Sequence, residues 1–408
     1  MGFHLLLEIW TYKKFSVFFA AGWFTSVARW FEVLIFSVIA WNLTENASIA
    51  AFLVMLRLVA VAITGVFFSV TGAFFPRKLV LVITTLLCAF TCLSIFLLST
   101  FGVELNLISI GLISFISGAM WSVDFSFRRP MLADTLPDHM ISTGVSVDVL
   151  STHATRIFGP LFGGIFLAYL DDSYITFFLF CLYFLSLLCV VTQRDSTTFT
   201  KQEGNFFNAF IRVLSETRKN LNLLTVILLT FIFNIFSLPF IALISILLIE
   251  KFQLKALEIG TFTSLEGLGA LIGGLLIAAF PPNNKRMMFT IFLAIILVSM
   301  ISSALTNNLI FYLACIIVFG FSAACYSALQ STIIYLYSSP ELRSPTFSLL
   351  TIAIGSGALG SLNIFIMSKT LMTEKITIII GIEGLLLLSF VLFAISFLGY
   401  ATKKPERK

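Results

Sequence analysis

Nine ionisable residues lie inside long apolar stretches of this sequence: Arg29, Glu32, Arg57, Asp124, Asp148, His153, Arg156, Glu266 and Glu383. A charge at the centre of a bilayer costs about 3 kcal/mol on insertion scales. Such residues pair with one another, bind a charged ligand or carry a proton. Glu32 and Arg57 fall in consecutive apolar runs, each about 14 Å from the same membrane face at the helical rise. Antiparallel neighbours at equal depth can pair, and Arg29 stands one turn from Glu32. We therefore read Arg29, Glu32 and Arg57 as one intramembrane cluster of net positive charge. It is either a structural tie between two spans or a proton or substrate site.

Glu266, in SLEGLGALIGG, has no basic residue near it on its own run. It is a candidate proton carrier, with a hydrogen bond to another span as the alternative. Asp148, His153 and Arg156 share one run and form a weaker candidate relay, Asp148 being its acidic member. Asp124 reads as a solvated or capping charge at a span end, and Glu383 as a packing residue. Catalytic and metal chemistry find no foothold. His4, His139 and His153 are scattered, all six cysteines fall in apolar runs, and neither HExxH nor GxSxG occurs. We expect no metal, no cofactor and no enzyme activity.

The elements that hold these residues follow from composition. The chain has 408 residues, 59% of them hydrophobic and 11% charged, with a mean hydropathy of +1.05. A soluble domain of that composition would leave too much apolar surface in water. Runs of about 20 apolar residues, each able to cross about 30 Å of hydrocarbon, recur near 15–41, 47–73, 77–99, 105–127, 141–169 and 174–192. A second set lies near 221–249, 256–280, 286–305, 309–337, 345–370 and 376–400. The expected fold is an all-α polytopic membrane protein of twelve transmembrane helices. Its first helix should serve as its own insertion signal. With both termini cytoplasmic, only Lys251, Lys255, Lys369 and Lys375 fall in outer loops, while the other loop Lys and Arg lie inside. That asymmetry sets the orientation as N-in, C-in. It also accounts for the net charge of +5 without a nucleic-acid partner.

Residues 193–220 form the longest polar interval. Within it Phe207, Phe210, Ile211 and Leu214 repeat at helical spacing beside Arg212, Arg218 and Lys219, which predicts a short amphipathic helix on the cytoplasmic bilayer surface. The two flanking halves echo each other. AFFPRK (73–78) is matched by AFPPNNKR (279–286), and LPDHMIS (136–142) by SPELRS (339–344), at an offset of about 205 residues. We therefore expect a bundle over 1–192, a linker over 193–220 and a second, pseudo-symmetric six-helix bundle over 221–408.

One run breaks the apolar pattern. In HATRIFGPLFGGIF (153–166), Arg156, Gly159, Pro160, Gly163 and Gly164 fall on one helical face. The glycines admit a close neighbour, and Pro160 removes a hydrogen-bond donor and bends the helix. These glycines are either a plain packing face or a hinge that helps to gate a cavity.

Taken together, these residues resemble the major facilitator superfamily, and within it the efflux branch of enterobactin exporter-like and macrolide efflux proteins. The resemblance spans nearly the whole chain. The first run, ARWFEVLIFSVIAWNLT, matches that branch at Trp30 and Glu32, with Arg29 where it has Asp. MLRLVAVAITG keeps its arginine as Arg57. The loop SVTGAFFPRK keeps Pro76, Arg77 and Lys78 of the family's cytoplasmic motif, but Ala73 and Phe74 replace the Asp and Arg that help lock the halves together there. SFRRPMLADTLPD resembles the corresponding segment after the fourth span, in a stretch carrying Arg128 and Arg129. TRIFGPLFGG resembles an antiporter motif of the fifth span, with Thr155 for its first glycine. The resemblance further implies a central cavity lined from spans 1, 4, 7 and 10, which makes Trp121, Asn234, Tyr326 and Gln330 candidate contacts for an amphipathic ligand.

The resulting expectation is a secondary transporter, exporting a small drug- or siderophore-like molecule in exchange for protons. It would act as a monomer in the lipid bilayer of a bacterial inner membrane. Two alternatives stay open: an importer or facilitator on the same fold, and a membrane sensor that binds without transporting.

Overall fold

The computed structural model describes residues 8–71, 76–103, 106–133, 135–193, 206–280, 282–338 and 343–402. Each apolar run forms a helix, because a backbone in hydrocarbon must satisfy its N–H and C=O groups within the segment. The first six helices are α1 (Lys13–Thr44), α2 (Ala47–Thr71), α3 (Arg77–Thr100), α4 (Leu107–Val123), α5 (Asp138–Tyr169) and α6 (Asp172–Thr192). The second six are α7 (Leu221–Ile232, continued as Phe240–Phe252), α8 (Ala256–Ala279), α9 (Lys285–Leu305), α10 (Leu309–Tyr337), α11 (Arg343–Gly355 and Gly357–Met367) and α12 (Thr373–Thr402). The protein is thus an all-α polytopic membrane protein with twelve transmembrane helices in two six-helix bundles.

Local chemistry sets many of the helix ends. The Asn106 carboxamide accepts from the Ile108 and Ser109 N–H groups at the start of α4. Asn220, Asn284 and Asn308 cap α7, α9 and α10 in the same way, meeting donors that a helix start leaves unpaired. At the cytoplasmic end of α3, Pro76 occupies the N-cap. Lys78 Nζ reaches the carbonyls of Val191 and Gln193, where a cation suits the last turn of α6. Ala73 and Phe74 lie outside the described residues. The pseudo-symmetry shows in the backbone. Among the described residues, Glu45 and Gln253 are the only non-glycine positions with positive φ, and they end the equivalent helices α1 and α7.

Two helices depart from their expected form. α4 changes to a π turn at Asp124–Arg128 and runs on through Arg129–Ala133, past the end at 127 that the apolar pattern suggested; Pro130 offers no N–H to the preceding turn. α7 has a π turn at Phe233–Ser237 just before Pro239. α4 and α5 also fall short of the apolarity and length by which the other ten spans qualify alone. They carry Asp124, Arg128, Asp148, His153 and Arg156, all of which neighbouring helices bury. Phe206–Lys219 forms the linker helix. It packs on α7 and α11 and leaves Ile211 and Leu214 exposed.

Burial sorts centre from rim. α1 and α7 bury 78% and 67% of their most apolar stretches, whereas α3, α6 and α12 bury 39%, 39% and 33%. The exposed Phe390, Phe393 and Phe397 of α12 are a lipid-facing surface. The bundles meet laterally through α5 with α8 and α2 with α11, and the outer piece of α7 meets α1 and α2. Gly260, Gly267 and Gly274 make a stripe of period seven on α8 that faces α5. A methyl group on Gly260 would lie 2.7 Å from the Pro160 carbonyl oxygen, and one on Gly267 2.6 Å from the Ile157 nitrogen. A methyl group on Gly164 would meet the Gly260 Cα at 2.7 Å.

A side chain at this outer crossing has to push the bundles apart. With a Ser245→Cys reporter in a cysteine-free background, Gly164→Val should raise labelling by an external, membrane-impermeant maleimide several-fold. Unchanged labelling would mean that this crossing does not hold the outer side shut.

Candidate functional site

The structure sorts the intramembrane charges into three groups. The first lies within the N-terminal bundle. Arg57 of α2 pairs with Glu32 of α1, whose other oxygen accepts from the Tyr183 hydroxyl of α6 at 2.7 Å. Arg57 also donates to the Arg29 carbonyl at 3.3 Å. Glu32 is fully buried, so its two partners replace the water that it loses. Gly118 of α4 makes this possible by packing directly on the Arg57 backbone.

The second group lies nearer the cytoplasmic side. Arg128 bonds Asp124 through Nε and reaches both oxygens of Asp148, at 2.9 and 3.2 Å. Arg129 approaches Asp148 at 3.5 Å and Asp124 at 3.9 Å. Arg29 turns towards this group: its guanidinium lies over the Trp121 ring at 5.0 Å and 4.0 Å from Asp124. Three arginines thus share two aspartates, and the π turn of α4 aims Asp124 and Arg128 inward.

The third group joins the two bundles. Arg156 of α5 meets Glu266 of α8 at 2.5 Å, both more than nine-tenths buried. The contact runs from Arg156 Nη2 to Glu266 Oε1, and Arg156 Nε has no hydrogen-bond partner. The guanidinium lies 4.5 Å above the Trp30 ring of α1, a cation–π contact that holds its plane. Trp30, Val33, Leu34, Pro160, Ile241, Ile244, Ser245 and Thr263 complete the wall of a space of about 10 Å³, close to the least that holds one water. Four helices, two from each bundle, build this site near mid-membrane. Next to it His153, buried with Nδ1 unpartnered, faces Gly274 of α8.

Several expectations change. Arg29 joins the Glu32–Arg57 cluster only through its backbone, because its side chain finds Asp124 and Trp121. Asp124 is a buried ion-pair member rather than a solvated cap. Asp148 is held by Arg128 and Arg129 instead of forming a relay along α5. Glu266 does have a cation, on another helix. Tyr326 packs the C-terminal bundle: it is fully buried, with its ring stacked between Phe233 at 4.8 Å and Phe289 at 4.2 Å. Asn234 donates to its own helix at the Thr230 carbonyl, and Gln330 to the Thr230 hydroxyl at 2.6 Å. Glu383 accepts from Asn363 at 3.4 Å.

The motif of α5 divides its work. Gly159 and Gly163 let α1 approach, at the Phe31 nitrogen and the Leu34 side chain, while Gly164 and Pro160 face Gly260. The sequence reading missed the Arg156–Glu266 pair, as well as Thr263 and Ser245. The period-seven glycines of α8 were the available signal, since they mark the face that must meet the glycines of α5.

Two similar six-helix bundles with a polar site between them at mid-depth are the architecture of alternating-access transporters. The chain belongs to the Major Facilitator Superfamily, whose family model matches residues 18–362. No curated protein matches it in sequence. Among solved structures, it resembles the nucleoside transporter NupG at a TM-score of 0.67 and 15% identity, over 96% of this chain and 99% of that one. The peptide transporter POT in complex with sulfate superposes at 0.70 with 12% identity, over 94% of each chain. The human organic anion transporter MFSD10 (TETRAN) does so at 0.65 with 13% identity, over 92% and 98%. At these identities the likeness is one of fold.

Removing one member of a buried ion pair strands the other. Arg156→Gln and Glu266→Gln should each cost about 3–5 kcal/mol of stability, while the double variant recovers most of the loss. Unfolding in detergent as a double-mutant cycle measures this; additive losses would show that the pair carries no coupling.

Proposed function

We propose that this protein is a proton-coupled exporter of a small amphipathic organic molecule, working by alternating access in a bacterial inner membrane. The observation that supports this most directly is the buried Arg156–Glu266 pair between the bundles. Any rocking that opens the site parts these two charges and lets water solvate them; closing again with the pair apart then calls for a ligand group on one and a proton on the other. Glu266 and Glu32 are the acids we assign to proton carriage. The apolar wall of the site, with Trp30 at its edge, suits a molecule with an apolar body and a polar end. The direction rests on the likeness of TRIFGPLFGG to the antiporter motif of the efflux branch. The fold neighbours named for nucleosides, peptides and organic anions fit a small organic cargo.

One observation favours uptake by symport as a second reading. Arg156 and Glu266 neutralise each other directly, so the bundles close with no ion or ligand between them. A carrier whose central charges cancel in this way can reorient without cargo, which is the return step of a symporter.

Deletion of the gene and untargeted metabolite profiling should reveal a small amphipathic compound that mutant cells retain and wild-type cells secrete. Proteoliposomes loaded with it should release it several-fold faster with an acidic exterior, and Glu266→Gln should lose that response while keeping exchange. Flux indifferent to the gradient removes the proton coupling. Faster uptake with an acidic exterior establishes symport.

A further inference from the structure

The polar atoms around the closed mid-membrane site are not balanced. Among the described residues, Trp30 Nε1, Arg156 Nε and Thr263 Oγ1 are buried without hydrogen-bond partners. Ser245 beside them donates its hydroxyl to the Ala242 carbonyl at 3.1 Å. Two of the three unpartnered atoms are obligate N–H donors, the third is a hydroxyl able to donate, and the nearest charge is a guanidinium. A buried donor left unpaired costs free energy comparable to a lost hydrogen bond. All three belong to residues that line one small space, where a ligand carrying acceptor oxygens would pair with them. The charged acceptor among the residues that line this space is the Glu266 carboxylate, 2.5 Å from Arg156.

From this we infer that the site takes an organic anion, whose carboxylate or similar oxyanion replaces Glu266 at Arg156. Glu266 occupies the position of the ligand's own charged group when the bundles are closed. An incoming oxyanion gains the guanidinium and draws on the Trp30, Arg156 and Thr263 donors, which Glu266, tethered to α8, leaves unmet. Guanidinium suits a planar carboxylate because its N–H groups form a fork. Cation–π contact with Trp30 keeps that fork in place while Glu266 departs. The apolar residues Val33, Leu34, Ile241 and Ile244 then receive the ligand's hydrocarbon part. This inference deepens the transport reading and rests on it only for the movement of the ligand, in either direction; an anion leaving a cell that is negative inside also moves down the electrical potential.

The test uses the purified full-length protein and matched probes that differ only in charge: benzoate and octanoate against benzamide and octanamide. In Glu266→Gln, where Arg156 has lost its counter-ion, the carboxylates should raise the unfolding midpoint by several degrees and the amides should not. The neutral double variant Arg156→Gln/Glu266→Gln should show no carboxylate response. Should Glu266→Gln fail to fold, equilibrium dialysis of labelled benzoate against wild type and the double variant asks the same question, with at least a tenfold loss of binding expected in the latter. Equal effects of acids and amides, a response that survives loss of Arg156, or no response to any carboxylate would overturn the inference. Gradient-driven flux of a lipophilic cation that is unchanged in Arg156→Gln overturns it while leaving the transport reading intact. Carboxylate binding at Arg156 without any flux supports it and overturns the transport reading instead.

Discussion

Hydrocarbon offers a charged side chain no water, and the need to give every intramembrane charge a partner organises this protein. Glu32, Asp124, Asp148 and Glu266 each sit beside at least one arginine, though they are separated widely along the chain. Two of the three groups that result tie helices together within the N-terminal bundle. The third ties the two bundles to each other. Pairs inside one bundle can persist while the bundles rock as bodies, but a pair across the interface cannot. Position, more than chemistry, therefore separates the ion pairs that hold one bundle together from the one that must part when the bundles move.

Close backbone packing lets these pairs form. A short ion pair between helices requires that the helices approach nearer than ordinary side chains allow, and the glycines are placed for that. Gly118 brings α4 onto Arg57, and Gly159 brings α5 onto α1 beside Trp30. Gly267 brings α8 onto the Arg156 backbone, at the carbonyl that Pro160, four residues on, leaves without its helical donor. Van der Waals contact drives helix association where the solvent is as apolar as the side chains. The same contacts that bring the bundles together thus deliver Arg156 to Glu266, and packing and electrostatics at this interface open or close together.

Much of the architecture was legible in the sequence because it depends on local quantities. The number of spans follows from run length, because each run must close its own backbone hydrogen bonds. The pairing of Glu32 with Arg57 was legible too, since the two lie on consecutive antiparallel helices where depth alone sets proximity. Arg29 was misread because depth does not say which way a side chain turns around its helix. Tyr326 was misread for the same reason: membership of a cavity-forming helix does not place a residue on its cavity side. Asp124 was taken for a solvated end because a π turn, which rotates the residues that follow it, leaves no mark in apolar periodicity.

By itself, then, the sequence determined that this is a twelve-helix membrane protein and which residues are too costly to leave unpaired. Those facts are set by transfer free energies and run lengths, which add residue by residue along the chain. Only the tertiary structure decided that Arg156 belongs to Glu266. The two are more than a hundred residues apart, on helices from different bundles, and no local property of either one names the other. Their meeting depends on the rotation of α5 and α8 about their axes, and the glycine stripes fix that rotation only once the two helices are packed together.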